Sequence, residues 1–397
     1  MFQPGVLVIH NRYQQAGGED AVVRAEVALL RRHGHRVAEY GRDNAEIDLF
    51  GMMRRASLLA TTTWNQSTYR ELRHAIRAQR PDVVHCHNLL PLISPAVYYA
   101  CQAEGVPVVQ SLHNFRLSCP AGTFFRHGAA CDDCGGKLGE SVLRGCYRSS
   151  RVQTAAVAVM LGMHRALSTW ERMVEAYSAP SRFCADRLAS SGISREKVMV
   201  RPNFLPSDPG MRTSGADFAL FAGRLCEEKG VRQLIRAWRR LRAIPLVIVG
   251  DGPLREEAEK SAPANVSFTG ALSPEQTLVR IKSARFLVFP SIGYETFGMV
   301  ALEAAACGVA TLGARLGAIP ELVDDGQTGR LFDPHNADDL VDKVEWAWSH
   351  PVQTNEMGAA ARRRYLNQYT AEHGYESLMQ LYESVFDRRP THVSCAA

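Results

Sequence analysis

Short apolar runs alternate with segments of helical periodicity along most of this chain, and no other feature restricts its fold as strongly. In the helical segments, apolar residues recur at the spacing of one helix face, as at 21–32 and 231–241. Apolar runs that alternate with helices in this way form a parallel sheet covered by helices on both faces. The runs lie at 6–9, 35–40, 81–85, 107–113, 218–222, 245–249, 266–268 and 286–289. The sequence therefore predicts an α/β fold.

The series of runs is interrupted at 207–217, a segment with the Pro, Gly and Ser content of a linker. A length of 397 residues suggests two or three domains. We therefore predict a first domain at 1–207 and a second at 208–370, followed by a segment at 371–397 whose helix packs back on the first domain. Within the first domain the periodicity is lost at 117–148, which predicts an inserted, cysteine-rich loop region.

The composition is that of a soluble globular protein, with 46% hydrophobic and 22% charged residues. The formal net charge of +5, from 46 basic and 41 acidic residues, is too weak to indicate a nucleic-acid partner. The first residues lack the pattern of a signal peptide, and no apolar stretch reaches the roughly 20 residues that span a membrane. We therefore expect a cytoplasmic protein whose cysteines are mostly reduced.

Two basic residues lie in a segment that follows a predicted strand and opens a predicted helix. These are Arg224 and Lys229, within the stretch that runs from Gly223 to Gly230. The amides at the start of a helix also favour anions, so this loop suits a diphosphate. A solvated basic loop without a ligand is the competing interpretation.

Two carboxylates, Glu295 and Glu303, lie on either side of a predicted helix start near Gly298. The backbone amides there can hold phosphate, and carboxylates can accept hydrogen bonds from sugar hydroxyls. A buried helix with a surface glutamate at each end is the alternative.

Two weaker signals come from the first domain. Gly17 and Gly18 follow the first strand, and paired glycines allow a close approach of the backbone to a ligand, although such a pair by itself more often marks a plain turn. His113 ends a predicted strand, where the carboxyl ends of strands face the binding crevice, although a single histidine is more often structural.

Taken together, these motifs resemble the retaining nucleotide-sugar glycosyltransferases of family 4, which have the GT-B fold of two facing Rossmann-like domains with a cleft between them. The resemblance covers nearly the whole chain, and its most specific part is Glu295-x7-Glu303 with Phe297 and Gly298. It includes Gly17-Gly18, His113, Arg201-Pro-Asn203, Gly223-Arg-Leu to Glu228-Lys-Gly230, and Gly250-Asp-Gly-Pro253.

The resemblance implies roles for particular residues. Arg224 and Lys229 would neutralise the donor diphosphate, Glu303 would bind the ribose hydroxyls and Glu295 would contact the transferred sugar. His113 would touch the sugar beside the reacting carbon, and the glycine pair would let the first loop approach the diphosphate and the acceptor. The implied catalytic residues are His113, Arg224, Lys229 and Glu295, and the implied donor-binding residues are Gly17, Gly18, Arg224, Lys229, Gly252, Glu295, Phe297, Gly298, Met299, Val300 and Glu303.

The implied reaction moves a sugar from a UDP-, GDP- or ADP-sugar to a glycan, lipid-linked or small-molecule acceptor, in surface or exopolysaccharide biosynthesis. No strong Asp-x-Asp metal motif is present, so we expect catalysis without a metal cofactor, with the two cations opposing the charge on the leaving phosphate. Another GT-B enzyme, such as an epimerase or a phosphorylase, and a non-catalytic sugar-nucleotide-binding protein are the alternatives. The dinucleotide-binding glycine motif that typifies dehydrogenases and the P-loop motif are both absent from the sequence.

Four of the ten cysteines fall within the insertion, at Cys119, Cys131, Cys134 and Cys146. Four thiolates can form a closed tetrahedral zinc site that would hold a loop with no core of its own. Only one Cys-x-x-Cys pair is present, so reduced structural thiols and a redox-active pair remain alternatives.

A predicted helix at 152–174 combines an apolar face with Arg151, His164, Arg165 and Arg172. Such a face can dock on an anionic membrane, although the same pattern is more often that of a helix packed on the sheet. Peripheral contact with the inner face of a membrane is therefore a hypothesis.

Overall fold

Two parallel six-stranded sheets, each covered by helices on both faces, make up the protein in a computed structural model that describes residues 3–14, 17–134, 137–189, 191–212 and 217–387. This arrangement confirms the predicted α/β class with two Rossmann-like units. Residues 213–216 of the predicted linker and the last residues after 387 lie outside the described part of the chain.

The first sheet is built from the first half of the chain. Its strands are β1 (Val6–Arg12), β2 (Val37–Asp43), β3 (Val83–Cys86), β4 (Val108–Ser111), β7 (Ala176–Ala179) and β8 (Val198–Val200), while β5 (Phe125–Arg126) and β6 (Ala129–Ala130) form a separate hairpin in the insertion. The helices are α1 (Gly18–Arg32), α2 (Met52–Thr61), α3 (Gln66–Gln79), α4 (Ala96–Ala103), α5 (Leu138–Arg144), α6 (Arg151–Ala166), α7 (Thr169–Arg172) and α8 (Arg182–Ala189).

The second sheet and the remaining helices follow. The strands are β9 (Ala219–Ala222), β10 (Leu246–Val249), β11 (Val266–Gly270), β12 (Phe286–Phe289), β13 (Thr311–Ala314) and β14 (Gly329–Phe332). The helices are α9 (Val231–Trp238), α10 (Arg255–Ser261), α11 (Pro274–Ser283), α12 (Met299–Ala306), α13 (Ile319–Leu322), α14 (Ala337–Ser349), α15 (Pro351–Gln368) and α16 (Ala371–Asp387). Short 3-10 helices occur at Asn44–Leu49, Arg195–Lys197 and Glu227–Lys229.

The strands are apolar on both faces because both faces of each sheet are buried. In β1, Val6 and Val8 pack into the cluster beneath α1, and Leu7 and Ile9 pack into the cluster on the opposite face. Successive side chains of β9 divide between two clusters in the same way. Alternation of this kind explains why the strands appear in the sequence as continuous apolar runs.

The two sheets differ in strand order. The first has the order β2-β1-β3-β4-β7-β8 and the second has the order β11-β10-β9-β12-β13-β14. In each sheet the order reverses once, between β1 and β3 in the first and between β9 and β12 in the second. Ligands of open α/β sheets bind outside the carboxyl ends of the strands at such a reversal. The topology therefore marks one ligand-binding position on each sheet.

The last described helix, α16, returns to the first sheet. Leu378, Leu381 and Tyr382 are buried in the same cluster as residues of β1 and α1. The Tyr375 hydroxyl also forms a 2.9 Å hydrogen bond with Nε2 of His35. The chain thus crosses between the two units a second time, and the domain boundary at 207/208 remains a prediction.

The predicted helix at 152–174 was wrong in its extent. Helix α6 ends at Ala166, and Ser168 adopts a left-handed backbone conformation with φ of +53° before the short helix α7 begins. A non-glycine residue with this conformation ends a right-handed helix. None of the helices in the described ranges has both the length and the apolar character needed to cross a membrane.

Candidate functional site

An open cleft of ≈ 1880 Å³ lies between the two units, where the topology marks both binding positions. Eleven of the twelve residues in the predicted site line it. They are Gly17, Gly18, His113, Arg224, Lys229, Glu295, Phe297, Gly298, Met299, Val300 and Glu303. The structure therefore brings together residues that lie as much as 286 positions apart, because the loops after β1, β4, β9 and β12 open into one space.

Gly252 is the exception, since it does not line the cleft whereas its neighbours Gly250 and Asp251 do. Its backbone has φ of +157°, and a Cβ atom there would lie 2.5 Å from the carbonyl oxygen of Leu225. We conclude that this glycine permits close packing of two loops. A Cβ on Gly250 would lie only 1.9 Å from the carbonyl oxygen of Gly223, so the loops at the ends of β9 and β10 also touch through glycine.

Lys229 forms an ion pair across the cleft wall with Glu295, with 2.6 Å between Nζ and Oε1. The hydroxyl of Ser291 donates to the same carboxylate oxygen at 2.6 Å. The Lys229 side chain is 27% exposed and that of Glu295 is 14% exposed, so both are accessible from the cleft although partly desolvated. A ligand anion can therefore compete with Glu295 for the lysine.

Arg224 lies beside Lys229 and is the more exposed of the two cations, at 57% of its side chain. It donates to Oε1 of Glu228 at 2.6 Å and contacts the sulfur of Cys226 at 3.4 Å. Its guanidinium group keeps donors free for a ligand, because it has five N–H groups in a planar fork that matches phosphate oxygens.

Helix α12 begins at Met299, in agreement with the predicted start near Gly298. Gly298 has φ of +107°, and a Cβ there would lie 2.8 Å from Cδ1 of Ile319, so this helix start requires glycine. The first amides of a helix have no partner within the helix and favour anions. One turn into the helix, burial raises the pKa of Glu303 to about 7.

The glycine pair forms the opposite wall of the cleft. Gly17 caps the start of α1, and a Cβ on Gly18 would lie 3.8 Å from Cγ of Met299. The loop of the first unit therefore reaches to the start of α12 in the second. Any side chain larger than glycine here would narrow the space between the two units.

Glu19 is a cleft residue that the sequence analysis missed, although its position directly after the glycine pair was a usable signal. Burial raises its pKa to about 8, and its Oε1 has no hydrogen-bond partner among the described residues. It also lines a second, smaller pocket in the first unit, which shares Glu19 and His113 with the cleft. Near neutral pH this carboxyl group can donate a proton as well as accept a hydrogen bond.

His113 extends from the end of β4 into the cleft, and its Nε2 lies 2.9 Å from Nδ1 of His87. Burial lowers the pKa of His113 to about 3, so the ring is neutral. Behind it lie His85 and Glu26, neither of which the sequence analysis identified. No local motif signals them, because the strand and helix that carry these residues are far apart in the chain.

The two units also contact each other beside the cleft. The hydroxyl of Ser181 donates to the carbonyl oxygen of Thr296 at 2.7 Å. Glu321, from the second unit, accepts from the backbone amides of Arg182 and Phe183 at 2.9 and 2.7 Å, so it caps the first turn of α8 in the first unit. A carboxylate at a helix start is favourable because it satisfies amides without partners.

The four cysteines of the insertion lie in one neighbourhood. The backbone of Cys131 bonds to Phe124, whose ring packs on Phe115, and the amide of Cys119 donates to the carbonyl oxygen of Phe115 at 2.8 Å. Within the described ranges, no three of these sulfur atoms lie within 4.8 Å of one another. Ligand atoms of Glu26, His85 and His87 do lie this close together. The insertion is also more ordered than predicted, since it contains the β5–β6 hairpin and α5.

Two family models match this chain. The model described as "Glycosyltransferase Family 4" matches residues 16–208, and the model described as "Glycosyl transferases group 1" matches residues 211–364. The boundary between the two matches falls in the segment that joins the two sheets.

Curated relatives match shorter parts of the chain. The O-antigen chain mannosyltransferase C of Escherichia coli is 32% identical over 45% of this chain and 49% of its own length. The D-rhamnosyltransferase WbpZ of Pseudomonas aeruginosa is 33% identical over 40% of this chain and 42% of its own length. The matches thus span about half the length of these relatives. A glycogen synthase of Mycobacterium tuberculosis is 29% identical over 77% of this chain and 69% of its own length.

Solved structures match the whole chain in fold. The sucrose-phosphate synthase of Thermosynechococcus elongatus superposes with a TM-score of 0.70 at 17% identity, covering 98% of this chain and 100% of that one. The Anabaena protein Alr3699/HepE, in complex with UDP and glucose, superposes with a TM-score of 0.67 at 15% identity, covering 96% and 100%. At these identities the likeness concerns the fold alone.

Proposed function

The chain belongs to the family 4 glycosyltransferases, as its two family models show, and from this premise we propose that it transfers a sugar from a nucleoside-diphosphate sugar to a hydroxyl group with retention of anomeric configuration. It has the GT-B fold of these enzymes. The observation that carries the proposal is the pair of cations, Arg224 and Lys229, at the strand-order reversal of the second sheet and beside the start of α12.

In the proposed reaction, the bond between the anomeric carbon and the diphosphate oxygen breaks, and the diphosphate leaves with the electron pair. The acceptor oxygen attacks from the face that the diphosphate leaves, and its proton passes to a departing phosphate oxygen. Fixed positive groups at that phosphate stabilise the charge that develops in the transition state. Arg224, Lys229 and the first residues of α12 line the same cleft, and we assign this stabilisation to them.

The remaining cleft residues fit the other parts of the donor. The buried carboxyl of Glu303 suits two ribose hydroxyls, since a carboxylate accepts several hydrogen bonds. Glu295, which reaches the cleft through its contact with Lys229, suits the transferred sugar, and neutral His113 suits an uncharged hydroxyl near the reacting carbon. The same cleft in an epimerase or phosphorylase would also bind the donor, so the products decide between these functions.

We propose an acceptor that is a glycan or a lipid-linked precursor of a surface polysaccharide. Two relatives are named for the transfer of mannose in O-antigen chains and of D-rhamnose. These names support a hexosyl group as the transferred sugar. We assign the acceptor to the first-unit side of the cleft, where Glu19 and His113 line both the cleft and a smaller pocket of the first unit.

Peripheral membrane contact forms part of the proposal, through a surface made by α2 and α6. Helix α2 has no buried residue, and Met52 and Met53 are 87% and 89% exposed. Val152, Val159 and Met163 are exposed on α6, which α2 contacts. Neither helix contains an acidic residue, and together they carry Arg54, Arg55, Arg151 and Arg165. Exposed apolar groups beside basic groups fit an anionic lipid surface.

Sedimentation with vesicles of phosphatidylcholine and phosphatidylglycerol tests this surface. We expect salt-dependent pelleting of the wild type and a clear loss in Met52→Ser/Met53→Ser. The control is Val352→Ser/Leu366→Ser, which removes two exposed apolar side chains from α15 instead. Equal pelleting of both variants, or none by the wild type, would reject the α2–α6 surface.

We also propose that the four cysteines of the insertion bind one structural zinc ion. Four thiolates around Zn²⁺ leave two net negative charges, and Arg126 and Arg144 lie beside the cluster, both bonded to Asp133 between two of the cysteines. Burial, and then the nearby thiols of Cys119, Cys146 and Cys131, raise the pKa of Cys134 to about 11, which is consistent with four thiols in one neighbourhood. Metal binding would draw them into contact, as it does in sites that form with the metal.

Metal analysis of the purified protein tests the zinc proposal. About one zinc per chain is expected, with loss of the metal and a lower melting temperature in Cys131→Ser/Cys134→Ser. Zinc-free protein in which all four thiols react with a thiol reagent would refute it.

Product analysis tests the proposed activity itself. Incubation with the sugar nucleotide that binds, together with a hydroxyl acceptor, should yield the nucleoside diphosphate and an α-linked product from an α-linked donor. Nuclear magnetic resonance of the anomeric proton determines the configuration. A β-linked product would refute retention, and an epimerised nucleotide sugar without transfer would favour the epimerase alternative.

A further inference from the structure

A row of buried polar side chains leads from His113 away from the cleft into the first unit. Nε2 of His113 lies 2.9 Å from Nδ1 of His87, and the planes of the two rings are 19° apart. On the far side of the second ring, Nε2 of His87 faces Oε2 of Glu26 at 3.7 Å. Arg201 closes the row through an ion pair with the other carboxylate oxygen of Glu26. These four side chains come from four separate elements or loops.

The charge of each side chain in this row follows from its burial and from its charged neighbours. Burial raises the pKa of Glu26, but the ion pair with the Arg201 guanidinium opposes burial, and the pKa lies below its usual value. Glu26 is therefore ionised. Burial lowers the pKa of His87 far below its usual range, and it lowers that of His85 to about 4, so both rings are neutral near pH 7.

The charge of Glu26 favours one placement of the protons in this row. At 3.7 Å the contact between Oε2 of Glu26 and Nε2 of His87 is longer than a hydrogen bond, and neither atom has another hydrogen-bond partner among the described residues. The ionised oxygen still stabilises a proton on the nitrogen that faces it, so Nε2 of His87 carries the proton of that ring. Nδ1 of His87 is then the acceptor, and Nε2 of His113 must donate to it. The proton of His113 is thereby on Nε2, and Nδ1 keeps a lone pair as the ring's remaining polar atom.

We propose that Glu26 and His87 are positioning residues that hold His113 in the tautomer with its proton on Nε2, so that it offers a hydrogen-bond acceptor to ligands in the cleft. The group that it selects is a hydroxyl, since a hydroxyl can donate, whereas a phosphate or carboxylate cannot donate when ionised. The tautomer itself does not depend on the proposed function. Its use in recognising a sugar hydroxyl does rest on that function.

A metal ion is the competing interpretation, because ligand atoms of Glu26, His85 and His87 lie within 4.8 Å of one another. The contacts argue against it. Arg201 already pairs with Glu26, and it would repel a cation. Both ring nitrogens of His85 are also engaged, Nδ1 with the hydroxyl of Tyr382 at 2.9 Å and Nε2 with that of Ser111 at 2.8 Å.

The substitution Glu26→Gln offers a specific test, because it should move the proton of His87 and that of His113 to the other nitrogen of each ring. Arg201 can only donate, so the carbonyl oxygen of the new amide must stay toward it and the NH₂ group must turn toward the histidines. The amide would then donate to Nε2 of His87, which moves the proton of that ring to Nδ1. His113 would in turn accept at Nε2 and carry its own proton on Nδ1.

Long-range ¹H–¹⁵N correlation spectra of protein labelled at histidine report the tautomer directly and require no substrate. The signals of His113 are assigned from those that vanish in His113→Gln. We expect an unprotonated Nδ1 in the wild type and an unprotonated Nε2 in Glu26→Gln. The control Glu104→Gln alters a carboxylate that pairs with Arg73 and Arg77 at the surface of the same unit, and should leave the tautomer unchanged.

A wild-type spectrum with the proton of His113 on Nδ1 would overturn the proposal, as would an unchanged tautomer in folded Glu26→Gln. If the glutamine variant does not fold, the wild-type spectrum alone decides. Addition of zinc or manganese salts should leave the His85 and His87 signals unshifted and unbroadened, and a shift or broadening would favour the metal interpretation instead. Because no activity is measured, failure here is distinct from failure of the proposed glycosyl transfer.

Discussion

The two walls of the cleft hold their charged groups in opposite ways. On the wall of the second unit, Lys229 and Arg224 pair with carboxylates but remain partly exposed, so a ligand can take the place of those partners. On the wall of the first unit, Glu26 and Arg201 are almost completely buried and support neutral histidines. The partly exposed cations of the second unit therefore suit an anion, whereas the neutral rings of the first unit suit uncharged hydrogen-bonding partners.

The two walls face each other across the cleft. Each sheet offers the carboxyl ends of its strands at the reversal of strand order, and the glycine pair of the first unit reaches to Met299 of the second. A donor with a charged diphosphate and an uncharged sugar has the same asymmetry as the cleft.

Loss of the lysine charge should be the most damaging change to the anion-receiving wall. We expect Lys229→Ala to lower the turnover number for the donor by about 100-fold or more, because removal of one fixed donor to transition-state charge has an effect of this size. The measurement is steady-state release of the nucleoside diphosphate. Lys260→Ala, which removes an exposed lysine paired with Glu256 on α10, is the matched control and should retain activity. Near-normal turnover in folded Lys229→Ala would place the diphosphate elsewhere.

The carboxyl of Glu303 should make donor binding dependent on pH. Burial raises its pKa to about 7, and hydrogen bonds from ribose hydroxyls would favour the ionised form and lower that pKa. Affinity should therefore fall as the pH drops below about 7, by up to tenfold per pH unit, and binding at pH 6 should release close to one proton.

Titration calorimetry in buffers of different ionisation enthalpy measures this release. In Glu303→Gln the release should disappear, while Glu345→Gln, on an exposed face of α14, should behave as the wild type. Proton release that persists in Glu303→Gln would assign the linkage to another group.

The smallest expected effect concerns the contact between the two units. Glu321→Ala removes the carboxylate that caps α8, and should lower the free energy of unfolding by about 1–2 kcal/mol, as the loss of a helix cap does. Urea denaturation measures this change, with Glu345→Ala as the control. An unchanged midpoint would show that the contact contributes little and that the two units are joined mainly through α16.

The sequence predicted the fold class and the start of α12, because both depend on patterns within a few residues. Apolar runs revealed β1 to β4 and β9 to β12, and Gly298 marked the helix start that the structure has. The interruption at Ser168 was missed, because serine rarely adopts a left-handed conformation and no glycine signalled it. Strand β7, which follows the short helix α7, was missed with it, and so were β13 and β14, which are short and contain glycine.

The candidate site also contains residues that a local pattern revealed and residues that only the folded chain brings together. Arg224, Lys229 and Glu295 lie in single loops next to strands, so their spacing was informative, and their roles remain predictions. Gly252 belongs to the same stretch of motif but serves loop packing, a distinction that depends on the position of Leu225. Glu26 and His87 lie on elements that meet only in the folded chain, so no spacing in the sequence could connect them.

Donor binding measured by thermal shift is the decisive test of the proposed diphosphate site. It compares the wild type with the double variant Arg224→Ala/Lys229→Ala. A panel of UDP-, GDP- and ADP-sugars is used, with Lys260→Ala as the control. The prediction is that at least one donor raises the melting temperature of the wild type and of the control, because a ligand that binds only the folded state stabilises it, and that the shift is lost in the double variant. No shift with any donor, or an equal shift in the double variant, would contradict the assignment of the cleft.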